Sequence, residues 1–437
     1  MLVALAVSVA GVYFGLPSGF LPYLVGAAGA AGFALAAMLN PLYPLLLLVA
    51  SLPFEEFFAL SALGSASRLL GLAFIGGYLF NALLGGARFS VWALSKAGWL
   101  WLVWASLSLS WSAELQGESF FSLVQLLTLA LLVANVVSTS RRRAELILWA
   151  YSLGALVVAS IGVFNFYTSA GLGEAGRVSG TETQSVAHFA AYLLPAFLFF
   201  VVKGFAGGVR LHTRVVCLLL SLPPLVGILA SGTRSAWLGA VFALLVILLP
   251  RVGVRVRLTF LGTVLMVALL LSAVPAVSTF VSERTSLALA TGGAGRSDIW
   301  RVGASLAVQN PFLGVGIFNF PVVFDYQALS AAPFGLRDLE VSVGRAPHNI
   351  YLSQAVELGV VGFVLWLAWM GNLLRLPKRD PLFLILSVVL VAFLVQGFFL
   401  DILNRKYFWL VVGLAEGARV LAQREAETRE EIQGETA

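Results

Sequence analysis

Apolar stretches broken by short polar connections recur from one end of the chain to the other. Most have the length that crosses a bilayer as a helix, roughly 17 to 25 residues. The pattern predicts spans near 2–16, 20–38, 41–54, 68–85, 98–111, 120–138, 145–168, 186–202, 215–230, 235–250, 258–277, 348–373, 382–400 and 406–421. Three of these (2–16, 41–54 and 98–111) are short, so twelve spans fit as well as fourteen. The expected fold class is an all-α integral membrane protein with about 12–14 transmembrane helices. Residues 1–437 read as a single polytopic domain without internal repeats.

Composition agrees with that pattern. Of 437 residues, 60% are hydrophobic and 11% charged, with a mean hydropathy of +0.95; soluble domains carry roughly 25% charged residues. The lone Cys217 excludes an intrachain disulfide. The apolar N-terminus lacks a basic leader segment, so no cleavable signal peptide is expected. A pI near 9.6 does not indicate nucleic acid, because the basic residues are segregated by connection. Those holding Arg88 and Lys96, Arg141 to Arg143, Lys203, Arg210 and Arg214, Arg251, Arg255 and Arg257, and Arg375, Lys378 and Arg379 carry fourteen cations against two acids, Glu145 and Asp380. The positive-inside rule makes these connections cytoplasmic. The alternate connections then face outward: those with Glu55 and Glu56, Glu114 and Glu118, Glu174 and Glu182, and the long 278–347 loop. Both termini are cytoplasmic on this reading, with 422–437 a solvated tail.

The 278–347 loop is far longer than a tight connection, and loops of that length are usually functional or disordered. Gly292-Gly293-Ala294-Gly295 reads as a flexible turn. From Ser297 to Gln309 the apolar residues Ile299, Val302 and Leu306 fall at helical spacing, which suits a helix lying in the membrane interface. Asn310-Pro311-Phe312-Leu313-Gly314-Val315-Gly316 breaks it. The loop closes on Arg345-Ala346-Pro347-His348-Asn349-Ile350-Tyr351. Proline suits a first helical turn, and His348 beside it would be kept neutral by the helix dipole, as a proton acceptor or as a headgroup anchor. Outward arginines form a second signal: Arg234 in Ser231-Gly232-Thr233-Arg234-Ser235, Arg296 and Arg301 around Trp300, and Arg177 before Val178. The guanidinium fork matches phosphate oxygens, although arginines at span ends also snorkel to headgroups. Glu357, nine residues after His348, falls half a helical turn away and reads as a structural group inside the bundle. His188 reads equally as a site residue or an anchor, and His212 as inert. No Walker loop, zinc helix or cysteine cluster occurs. Asp298, Asp325, Asp338 and Glu340 have no spacing that demands a metal, so neither metal nor cofactor is expected.

His348-Asn349, nine residues, Gly359, two residues, Gly362 resembles the His-[Asn/Ser/Gln]-x9-Gly-x-x-[Gly/Thr/Tyr] pattern of the O-antigen ligase family. Ser231 to Ser235, Gly295 to Trp300 and Asn310 to Gly316 resemble further pieces of that family, in its order. The resemblance implies an inverting glycosyltransferase of the bacterial cytoplasmic (inner) membrane, working at its periplasmic face in lipopolysaccharide or other polysaccharide synthesis. The implied donor is a glycan on undecaprenyl diphosphate, and the implied acceptor is lipid A–core or another glycan. His348 would activate the acceptor hydroxyl. Arg234 and Arg296 would bind the diphosphate, with Arg177, Arg301 and Arg345 as weaker transfers made on position. O-antigen polymerases share this architecture, so ligase and polymerase both stand. A lipid-linked-glycan transporter with an arginine-lined cavity, or a cell-wall glycan polymerase with a catalytic carboxylate in its outward loop, would be the readings from elsewhere.

Overall fold

A computed structural model describes residues 21–60, 64–87, 89–168, 172–173, 177–179, 185–206, 209–248, 296–330, 346–377 and 380–435. The helices are α1 (Leu21–Leu39), α2 (Leu42–Ser51), α3 (Ala66–Leu83), α4 (Lys96–Leu107), α5 (Gly117–Val137), α6 (Arg141–Thr168), α7 (Val186–Phe205), α8 (Leu211–Ala230), α9 (Arg234–Leu248), α10 (Arg296–Gln309), α11 (Phe320–Ser330), α12 (Ile350–Leu373), α13 (Pro381–Gln396) and α14 (Lys406–Glu435). The strands described are two-residue pairs: Ala59–Leu60 with Gly64–Ser65, and Leu172–Gly173 with Arg177–Val178. The protein is an all-α integral membrane protein. Among the described residues, five helices (α5, α6, α7, α8 and α12) are long and apolar enough to cross a bilayer, and α2, α3, α9 and α13 are shorter apolar helices. The predicted spans 2–16 and 258–277 lie outside the described residues. The other twelve each coincide with a helix.

Small residues let the helices approach. Gly413 and Gly417, four apart on α14, face Ala130 and Ala134, four apart on α5. A Cβ at either glycine would come within 2.6 to 2.7 Å of a neighbouring atom, the close backbone approach that drives helix association in lipid. α7 is the innermost span, with 83% of its apolar window buried, against 28% for α8, which faces lipid. Glu416 is fully buried on α14. It is satisfied there by Ser95 N and Oγ, Trp369 Nε1 and Arg419 Nε at 2.7 to 3.0 Å, as a buried acid must be.

Ion pairs fix which connections share an end of the bundle. Arg141 pairs with Asp380 and with Glu425, Lys203 with Glu145, and Arg424 donates to the Ser138 carbonyl. The connections α5–α6, α7–α8 and α12–α13 therefore lie together, with the C-terminal part of α14. That part is a continuation of the helix through the expected tail. The interfacial helix differs from expectation. Its stripe of Ile299, Val302 and Leu306 packs on Phe320, Phe324 and Val356 instead of on lipid. α11 and the first half of α12 offer it an apolar surface that the sequence does not show as adjacent.

Candidate functional site

His348 is presented by the entry to α12, and that entry differs from the expected one. The helix starts at Ile350, and Asn349 is its N-cap, with Oδ1 accepting from Tyr351 N at 2.9 Å and Leu352 N at 3.1 Å. Asparagine is among the best N-caps because its oxygen satisfies donors that the helix leaves open. Pro347 and His348 are therefore outside the first turn. His348 takes a left-handed conformation, φ 48°, uncommon for a residue with a Cβ and typical of strained functional positions. Its neighbours are tied down on both sides: Trp300 Nε1 of α10 donates to the Pro347 carbonyl at 3.1 Å, and Ile350 N donates to the Gly397 carbonyl at 2.8 Å. His348 itself is partly exposed.

Ten residues into α12 the helix breaks at Gly359, φ 64° and ψ −171°, a conformation essentially confined to glycine. The break leaves backbone groups open, and the 310–316 segment fills them. Val315 N and Gly316 N donate to the Val356 and Glu357 carbonyls, both at 2.9 Å, while Val360 N donates to the Pro311 carbonyl at 2.7 Å. Trp104 Nε1 of α4 takes the Leu358 carbonyl at 2.9 Å. The two backbones are so close that a Cβ at Gly359 would lie 2.2 Å from Phe312 O, and one at Gly314 would lie 2.4 Å from Glu357 O. Two sequence pieces far apart in the chain are thus halves of one joint. Glu357 belongs to it. Buried at 3% exposure, its Oε1 accepts from Phe320 N at 3.3 Å and so faces the N-terminus of α11.

His188 is buried in the first turn of α7, with Nδ1 3.1 Å from the Tyr407 hydroxyl. Arg405 and His348 both lie within electrostatic reach of it. Tyr192, one turn further along the same face, meets Tyr407 edge-on at 4.8 Å and donates its hydroxyl to Glu55 Oε2 at 3.0 Å. Glu55 pairs with Lys406, whose Nζ donates to Ser67 Oγ at 2.9 Å. Asp401 lies in the same α13–α14 connection. Burial raises its carboxyl above the usual range, while the Leu403 N–H and the Arg405 charge pull it down. Sequence reading missed Tyr407, Arg405, Lys406 and Asp401. The signal was present: two adjacent cations in a connection that alternation places outward run against the positive-inside rule.

Arg234 opens α9 after a tight turn in which Gly232 has φ 62° and Thr233 N donates to Ser231 Oγ at 3.1 Å. Thr233 Oγ1 reaches the Val186 carbonyl at 3.3 Å, which sets this turn beside the start of α7 and His188. Arg296 opens α10. Burial and the Arg234 charge both lower its guanidinium pKa. Among the described residues neither arginine is in an ion pair. Two like charges at the starts of α9 and α10, where helix dipoles add positive potential, are chemically suited to a multiply charged anion. Arg301 projects from the exposed side of α10. Arg177 lies in the strand pair with Gly173, its side chain outside the described residues, as is Arg345. His212 is exposed in the first turn of α8, away from this cluster.

Residues 216–367 match the protein family described as O-antigen ligase. The match takes in Arg234, Arg296, His348 and Gly359, and leaves out His188 and Tyr407. No curated protein matches the chain.

Proposed function

We propose that this chain, whose residues 216–367 match the family described as O-antigen ligase, moves a glycan from undecaprenyl diphosphate to an acceptor hydroxyl at the periplasmic face of the inner membrane. The observation that carries the reading is that Arg296, which feels the Arg234 charge, opens the helix whose Trp300 bonds the carbonyl just before His348, a partly exposed residue at φ 48°. A lipid-borne donor suits that face, since nucleotide sugars are not supplied outside the cytoplasm. The acceptor oxygen attacks the anomeric carbon from the face opposite the diphosphate, giving inversion. Its proton passes to a ring nitrogen of His348, a contribution of about 10²–10⁴-fold. The bond from the anomeric carbon to the diphosphate oxygen breaks, and the electron pair leaves with the diphosphate. Arg234 and Arg296 stabilise that growing charge, the larger electrostatic effect. His188, held 3.1 Å from the Tyr407 hydroxyl and within electrostatic reach of His348, is a further binding residue, and Arg177, Arg301 and Arg345 are secondary contacts to the glycan phosphates.

Within the superfamily we assign the ligase reaction, with lipid A–core as acceptor. Purified protein is incubated with an undecaprenyl-diphosphate oligosaccharide, with and without lipid A–core. Transfer of the intact block to lipid A–core is expected. A ladder of longer lipid-linked glycans without lipid A–core would instead make the protein a polymerase, and absence of any transfer would overturn the glycosyltransferase reading of the site.

A further inference from the structure

The imidazole of His188 is gripped at one nitrogen and open at the other. The residue is 6% exposed in the first turn of α7, and its Nδ1 lies 3.1 Å from the Tyr407 hydroxyl. Tyr407 is itself fully buried in the first turn of α14. Its ring is fixed against Tyr192 at 4.8 Å and against Phe393 at 5.2 Å, so the hydroxyl has little freedom to leave His188. Among the described residues His188 Nε2 has no hydrogen-bond partner. Nor is it one of the enclosed polar atoms, such as Gln396 Nε2, that lack both a partner and access. Its surroundings are those of the arginine site. Thr233 Oγ1 meets the Val186 carbonyl at 3.3 Å, which sets the Arg234 turn against the turn of α7 that carries His188. Arg405 and His348 lie within electrostatic reach of the ring.

In a neutral imidazole one nitrogen donates and the other accepts, and the bond made at one sets the role of the other. Arg405 beside the ring disfavours a second cation there, so the neutral form is the one that fits. A phenol O–H is a good donor, whereas its oxygen shares a lone pair with the ring and accepts poorly. Tyr407 therefore donates and Nδ1 accepts, which leaves the His188 proton on Nε2. We propose that Tyr407 is a positioning residue that fixes His188 as the Nε2–H tautomer, and that Nε2–H donates a hydrogen bond to an oxygen of the lipid diphosphate held by Arg234 and Arg296. The second half rests on the reading of the arginine pair as a diphosphate site; the tautomer stands without it. A bond from Nε2–H to an anionic oxygen is charge-assisted and directional, so it orients the group that the arginines attract.

NMR of isotope-labelled histidine ring nitrogens, on the full chain in detergent, tests the tautomer without any substrate. The chain has three histidines, so the signals are few, and His188→Gln identifies those of His188. At neutral pH native His188 is expected to carry its proton on Nε2 alone. Tyr407→Phe, which keeps the ring contacts and loses the hydroxyl, should show both tautomers. A proton on Nδ1 in the native protein, or an unchanged pattern in Tyr407→Phe, would overturn the positioning role. Titration with undecaprenyl diphosphate then tests the bond to the ligand. The amide nitrogen of glutamine overlays histidine Nε2, and that of asparagine overlays Nδ1. His188→Asn should therefore lower affinity roughly tenfold or more, the scale of one hydrogen bond to a charged group, and His188→Gln by about threefold or less. Equal losses in the two would sink the Nε2 bond while leaving the arginine site standing. No binding by the native chain would remove the diphosphate site itself, and this bond with it.

Discussion

Replacing Gly359 with alanine should be among the most damaging small changes in this protein. At φ 64° and ψ −171° a residue with a Cβ carries about 1–3 kcal/mol of backbone strain. The new methyl would also sit 2.2 Å from Phe312 O, a backbone atom that cannot rotate away. Relief requires the 310–316 segment to back off, which stretches the bonds from Val315 N, Gly316 N and Val360 N. At about 0.5–1.5 kcal/mol each, opening all three brings the total to roughly 2.5–7.5 kcal/mol. Gly371 supplies the control within the same helix. It is exposed, and a Cβ there meets nothing within 4 Å, so Gly371→Ala should stabilise by about 0.5–1 kcal/mol through helix propensity. Thermal unfolding of both variants, followed by tryptophan fluorescence in one detergent at one scan rate, compares them directly. Gly359→Ala should melt well below the native protein and Gly371→Ala at or slightly above it. If the two variants melt together, the joint does not hold α12 to the 310–316 segment.

The site yields further expectations. His348→Ala should keep the native melting temperature and donor binding while transfer falls by about two or more orders of magnitude; single-turnover transfer on the folded variant checks this. His348→Gly should stabilise the fold by about 1 kcal/mol, since glycine adopts φ 48° without a Cβ penalty, and should be as inactive as the alanine variant. Arg296→Lys and Arg234→Lys should each weaken binding of a lipid diphosphate, because lysine keeps the charge and loses the bidentate fork; unchanged affinity in both would remove the arginine pair from the donor site. At the other end, Arg141 lowers the Glu425 carboxyl below its ordinary 4.5. A depressed folded-state pKa contributes stability above the unfolded value that is lost as pH falls through the folded one. The melting difference between native protein and Glu425→Gln should therefore be full at neutral pH and shrink as pH drops below about 4.5.

The place and order of the twelve spans that fall on described residues were legible in the sequence, because a bilayer imposes length and apolarity on each span independently of its neighbours. Relative sidedness was legible for the same reason. Two of the counted cations from separate connections, Arg141 and Lys203, meet Asp380, Glu425 and Glu145 at one end of the bundle. The candidate histidine and arginines could be picked out because charged groups are rare in so apolar a chain. Lys406 and Glu55 could not be paired from sequence, since they stand 351 residues apart and each taken alone reads as an ordinary span-end charge.

What only the tertiary structure decided concerns backbone groups and close approach. Periodicity cannot distinguish an apolar stripe that faces lipid from one that faces protein, because both environments favour the same residues; so α10 read as interfacial although it packs on α11 and α12. Local pattern placed Pro347 and His348 inside a helix that begins after them, since the competition between a proline start and an asparagine cap is settled by where the first N–H groups find acceptors. The glycines at 314 and 359 were visible as spaced letters. Their reason is a contact between two backbones more than forty residues apart, and a sequence records the missing side chain but not the atom that excludes it.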